Sequence, residues 1–298
     1  MDHRSDVREF LSTRRDRLTP DRAGLPAVGG RRRVPGLRRE EVALLAGVSV
    51  DYYTRLERGD LSGASDGVLQ ALARALQLDD AETAHLFDLA RIANASPVTK
   101  KARARSTELR PSIMRLLDAI TDAPALIRNN YFDYVAANSL ARALYSPVFA
   151  EPSPNSARFS FLNAAAPDFY VDWDKTTREL VATMRGEAGR NPFDRRLTDL
   201  VGELSTRSEH FRTLWAAHDV RYHRTGVKRL RHPVVGDLEL TYEAFDLPAD
   251  PGLTLSTYTA EPGSPSADAL RMLASWAATS ARSDHDSSIL SRPASDGH

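Results

Sequence analysis

The chain has 298 residues, 40 Lys plus Arg against 40 Asp plus Glu, and no cysteine, which points to one or two domains, excludes disulfides and thiol chemistry, and weakens a metal reading. Hydrophobic residues make up 42% of it, enough for a sizeable core. No apolar run reaches transmembrane length, and the charged start is not followed by a signal-peptide segment, so a cytoplasmic protein is expected.

In chain order, residues 7–18 (VREFLSTRRDRL) read as a helix with Val7, Phe10, Leu11 and Leu18 on one side. The stretch 19–30 is a Gly- and Pro-rich loop. Residues 38–46 (RREEVALLA) form a short helix whose Val42 and Leu45 are spaced to bury together, and Gly47-Val48-Ser49 separates it from a second short helix over 50–58. After a turn at 59–65, Ser65 or Asp66 caps a helix over 67–77 with Val68, Leu69, Leu72 and Leu76 on one face. Asp79 or Asp80 caps the next, over 78–93. The polar, basic stretch 94–108 lacks apolar periodicity and reads as a linker. Beyond it come a helix over 110–120, two short strands and a helix within 124–145, a long helix over 169–189, and helices near 193–204 and 208–217. Residues 226–260 alternate apolar and polar with Gly and Pro turns between the runs, which argues for an antiparallel meander. A serine-capped helix over 264–278 follows, and the last residues, rich in Ser, Asp and His, read as a disordered tail. The expected organisation is a helical domain over 1–93, a linker over 94–108, a mixed domain over 109–279 and a tail over 280–298: an α+β chain.

Five helices in about ninety residues, the second and third short and joined by Gly-Val-Ser, suggest a helix-turn-helix. Gly47 supplies the positive φ that the turn needs, Val48 plugs the angle between the helices, and Ser49 caps the second. Tyr53 and Leu56, three apart, then point inward with Val42 and Leu45. Val50, Asp51, Thr54 and Arg55 project outward, where residues of such a helix reach base edges in a major groove. Arg55 suits guanine, Val50 a thymine methyl and Asp51 the cytosine amino group. Tyr52 lies at the edge of this face, and Arg58 is a further basic residue at its end. Arg38 and Arg39 open the preceding helix, where the backbone is gripped, and Arg31, Arg32 and Arg33 add charge ahead of them. Residues 1–105 carry 19 basic against 15 acidic residues, net +4, so a phosphate partner fits this local cluster better than the total. The bland alternative is a solvated charged face, and Asp51 is an anion facing a polyanion. One recognition helix contacts few bases, so a homodimer on a palindromic double-stranded operator is expected.

RRRVPGLRREEVALLAGVSVDYYTRLERG and VLQALARALQLDDAETAHLFDLA resemble the lambda-repressor-like (XRE-type) helix-turn-helix domain of the MmyB-like family of transcription regulators. RPSIMRLLDAI, the stretch 200–245 and YTAEPGSPSADALRMLASWAA resemble that family's C-terminal domain. The resemblance implies an all-α, five-helix DNA-binding domain followed by a PAS-like antiparallel sheet with flanking helices. It also implies a fatty acid or similar amphipathic small molecule bound in the second domain, controlling DNA binding. Candidate walls for such a ligand are Phe161, Phe169, Trp173, Trp215, Leu240, Tyr242 and Tyr258; candidate head-group partners are Asn138, Arg178, His218 and His223. Each of these is individually compatible with ordinary core packing or a capped helix end, and Lys228, Arg229 and Arg231 read as a solvated strand face. No cofactor is expected. Catalysis is not indicated: there is no G-x-S-x-G elbow, Gly186 and Gly189 do not form a dinucleotide fingerprint, and His218, Asp219 and His223 mark no closed metal set. The alternative is a ligand-independent dimeric repressor whose C-terminal domain serves dimerisation or protein contacts.

Overall fold

The computed structural model describes residues 3–25, 36–94, 109–191, 194–217 and 224–290. The basic run Arg31, Arg32 and Arg33, the linker beyond Asn94, and His218 and His223 lie outside the described residues. The first elements are α1 (His3–Arg17), α2 (Arg39–Ala46), α3 (Val50–Glu57), α4 (Asp66–Ala75), α5 (Asp80–Asn94) and α6 (Pro111–Ala119). Then come β1 (Ala125–Asn129), β2 (Tyr134–Ala137), α7 (Ser139–Leu144), α8 (Ser146–Phe149), α9 (Ser156–Leu162) and α10 (Ala166–Phe169). The chain continues through α11 (Trp173–Arg190), α12 (Arg195–Arg207), α13 (Glu209–Ala216), β3 (Thr225–His232), β4 (Gly236–Asp246), β5 (Leu253–Thr259) and α14 (Pro265–Leu290). Because α14 is helical through Leu290, the expected tail does not begin at residue 280.

Packing divides the chain into two compact units, Met1–Ala104 with Arg178–Tyr222, and Arg105–Thr177 with His223–His298. In the first, helices α1 to α5 enclose a core of Val7, Phe10, Leu11, Val42, Tyr53, Leu56, Leu69, Leu72 and Leu86. Caps fix where these helices start. Ser65 Oγ accepts the Val68 N–H at 3.4 Å, and Asp79 exchanges hydrogen bonds with Glu82 at 2.8 and 3.1 Å, closing a capping box. Leu45 departs from expectation. α2 buries Val42, Ala43 and Ala46, while Leu44 is 73% and Leu45 36% exposed. Positions 42 and 46 are one turn apart and 43 lies on their side, so Leu45 falls off the buried stripe.

The second unit is built on a five-stranded antiparallel sheet of order β2-β1-β5-β4-β3. Alternation along the strands separates two faces. Ala125, Ile127 and Leu255 pack with Ile113 and Leu117 of α6. Leu126, Tyr258, Leu238, Leu240, Tyr242 and Leu230 face the other way, into a larger core shared with α7, α10 and α14. The meander expected over 226–260 is thus three strands of a larger sheet, completed by the β1–β2 hairpin pairing with β5. The short helices α8, α9 and α10 fall in a region where no element was expected, since four to seven residues are too few to show a period.

Candidate nucleic-acid interface

The turn between α2 and α3 is built as its residues dictate. Gly47 adopts φ 66°, the left-handed region a C-capping glycine enters without strain. Ser49 Oγ accepts the Tyr52 N–H at 3.1 Å and starts α3. Tyr53 and Leu56 are fully buried, while Val50, Asp51, Arg55 and Arg58 are exposed and Tyr52 and Thr54 half-buried. This is the inward and outward division the helical period predicts.

Beneath α3 lies a buried carboxylate. Glu57 is 2% exposed and takes the Arg15 Nε at 2.7 Å and the Arg39 Nε on its second oxygen. Arg15 also donates to the Leu37 carbonyl at 2.9 Å. Burial opposes the charge of Arg15, but its bond to Glu57 and the charge of Glu57 outweigh that and hold the guanidinium's pKa above its ordinary value. Burial, then the Glu57 charge, pushes the neighbouring Tyr53 phenol upward. A fixed carboxylate orients Arg39, whose side chain as a whole stays 54% exposed. Arg38 is exposed, and its Nη1 lies 3.3 Å from Glu40.

Arg55 is not a loose surface cation. Its guanidinium stacks on Tyr52 at 4.9 Å from the ring centre, donates to the Ser62 carbonyl at 3.4 Å and sits 3.8 Å from Asp60. The Asp60 carboxyl is held below its ordinary pKa, first by the Ser62 N–H and then by Arg55 and Arg4. Arg4, Asp51, Thr54, Arg55, Arg58 and Asp60 line a shallow groove of about 450 Å³. Its mixed charge is unlike a plain phosphate-binding stripe.

The candidates named for a second site part company. Phe169, Leu240, Tyr242 and Tyr258 join one buried cluster, with Trp173 packed against it; the Trp173 indole N–H donates to the Ser160 carbonyl at 2.9 Å. Tyr145 links the rings, 5.5 Å from Tyr258 and 6.0 Å from Phe169. Burial raises the phenol pKa values of Tyr134, Tyr145, Tyr170 and Tyr258. Phe161 is half-buried and not a member of that cluster. Trp215 belongs to the first unit, stacked on Phe211 at 5.5 Å with Arg185 4.1 Å from its ring centre. Arg178 also falls in the first unit and is exposed.

Asn138 is spent structurally. Its Oδ1 accepts the Ala125 and Ala141 N–H groups at 3.1 and 2.8 Å, and its Nδ2 donates to the Ile120 and Ala123 carbonyls at 2.7 and 2.8 Å. Four bonds exhaust an amide's usual capacity and leave nothing for a head group.

Two cations on the inner sheet face were missed. Lys228, 9% exposed, lies 5.7 Å from the ring centres of both Tyr170 and Tyr242. Arg128, 8% exposed, lies 4.9 Å from that of Phe132. The signal was strand parity: Lys228 is two residues from Leu230, and Arg128 two from Leu126, both inward. Arg229 and Arg231 do form the solvated face expected of them, the former pairing with Asp172 at 2.5 Å.

A family model described as a helix-turn-helix domain matches residues 7–86. One described as the MmyB-like transcription regulator ligand binding domain matches residues 109–273. No curated protein matches the chain.

Proposed function

The chain belongs to the MmyB-like transcription regulators, a DNA-binding regulator with a ligand-binding domain, and from that premise we propose that it senses an amphipathic acid, such as a fatty acid, on the inner face of its sheet. Positive charge held inside an aromatic interior, at Lys228 and Arg128, carries this reading. Such a setting favours an anionic head over a neutral one, and the apolar walls accept a chain. Phe169, Trp173, Leu240, Tyr242 and Tyr258 are the wall residues retained, while Asn138 is withdrawn as a head-group partner.

On the DNA side the reading assigns the base edges to Val50, Asp51, Thr54 and Arg55, and the backbone to Arg38, Arg39, Ser49, Tyr52 and Arg58. The working form is a cytoplasmic homodimer on a palindromic operator, with a helix-turn-helix domain over 1–93, a linker over 94–108 and a ligand-binding and dimerisation domain over 109–279.

The test is thermal melting of the purified chain with tetradecanoic acid, its methyl ester, and no addition. A ligand at 100 times its Kd adds about 2.7 kcal/mol. The acid should raise the melting temperature, the ester should do so less, and Lys228→Met should abolish the difference between them. No shift with either compound would favour the dimerisation-only alternative.

A further inference from the structure

Residues 178–217 stand in the middle of the span matched by the ligand-binding model, yet they pack with the N-terminal helices. The stretch 181–189 of α11 is buried on every side, including Arg185 at 3% and Glu187 at 5% exposure. A surface helix buries one stripe; burial all round is that of a strut enclosed by its neighbours.

The strut ends against α5. A Cβ placed on Gly189 would lie 2.4 Å from Cε1 and 2.5 Å from Nδ1 of His85, so any larger residue there must displace that ring. His85 is itself buried and meets Phe10 of α1 edge-on at 5.0 Å. Arg14 lies 5.0 Å from the centre of the Phe10 ring and pairs with Glu82 at 2.8 Å. Next to this contact, burial raises the Asp88 carboxyl while Arg91 and Arg190 draw it down. Arg17, at the end of α1, donates to the Ala217 carbonyl at 3.3 Å. The segment therefore grips α1 and α5, and α1 carries the Arg15 that holds Glu57 beneath the recognition helix.

We propose that residues 178–217 form a built-in clamp on the DNA-binding helices, with Gly189 against His85 as its latch: closed, it holds α1 and α5 so that α3 keeps its DNA-binding placement, and open, it weakens DNA binding. The inference rests on the DNA-binding reading and does not depend on which ligand the sheet takes. It makes a side-chain contact the route by which the ligand-binding region reaches the DNA-binding helices.

The experiment uses the full chain and a DNA fragment that the wild type selects from a random pool. Gly189→Ala should raise hydrogen exchange of α1 and α5 amides about tenfold and weaken binding about fivefold. His85→Ala makes room for the added methyl, so the double variant should match His85→Ala alone in both readouts. Should the Gly189 variant fail to fold, Arg17→Gln removes the second contact without a clash and should shift both readouts in the same direction. Faster exchange with unchanged DNA affinity would overturn the proposal, and so would unchanged exchange in a folded Gly189→Leu chain. A wild type that selects no sequence would overturn the DNA-binding reading itself, and the clamp with it.

Discussion

Arg55 and Arg39 are both arginines on the same small unit, yet their surroundings differ. Arg55 rests on Tyr52 and is shared between Asp60 and Ser62, so reading a base requires it to leave weak, exposed partners worth about 0–1 kcal/mol. Arg39 is aimed by a buried carboxylate and has no need to move. Arg55→Ala should cost about 1–3 kcal/mol on the selected sequence and relax preference at one base position. Arg39→Ala should weaken all sequences alike and flatten the dependence on salt. Binding titrations over a range of salt on selected and scrambled fragments separate the two; equal behaviour of both variants would refute the division. Much of this face was legible in the sequence, because a cap, a positive-φ glycine and a 3.6-residue period are local rules. Glu57 was not. It is an acidic residue inside a basic motif, and only the return of α1 across the fold, 42 residues away, supplies the arginine that justifies its burial.

At the scale of elements, His232 ties the end of β3 to the end of α7. Its Nδ1 accepts the Val234 N–H at 3.2 Å and its Nε2 faces the Ala143 carbonyl at 2.9 Å, which fixes a neutral imidazole with the proton on Nε2. Burial lowers its pKa, and the Ala143 bond only partly offsets that. Between the lowered folded value and the ordinary value of about 6.5, the unfolded chain binds the extra proton, so stability falls with falling pH. The contribution is complete above about pH 6.5 and is lost as the pH drops through the folded value. Melting curves at pH 7.5 and 5.5 should show a larger loss for wild type than for His232→Gln; an equal loss would exclude this role for His232. Long elements with a clear period were legible, among them α11, β4 and the first half of α14. The four- to seven-residue helices α8 to α10 were not. Nor was the inward side of β3, where Lys228 shares parity with Leu230 although a charge ordinarily means solvent.

For the whole molecule, the linear boundaries drawn from composition meet a discontinuous unit. The polar stretch 94–108 is where the sequence suggests a seam, but polarity says nothing of the partners of a helix farther along. A fragment of residues 1–94 lacks α11 to α13 and leaves uncovered the His85 ring that Gly189 meets. It should melt below the corresponding transition of the full chain by several degrees, a loss on the order of 1–2 kcal/mol for a domain of this size, and bind the selected DNA more weakly. Calorimetry and titration check this; a fragment equal to the full chain in both would show that α11 to α13 are passengers. The sheet carries a different consequence of the same interleaving. Its central strand, β5, is the last to be made, and it alone joins the β1–β2 and β3–β4 hairpins. During synthesis both β1 and β4 therefore wait with an open edge, β1 for more than a hundred residues, while the ribosome adds about 5–20 residues per second. Open edges of that kind recruit other strands. A message truncated anywhere before β5 should yield a nascent chain that aggregates or is degraded, and not a smaller working sheet.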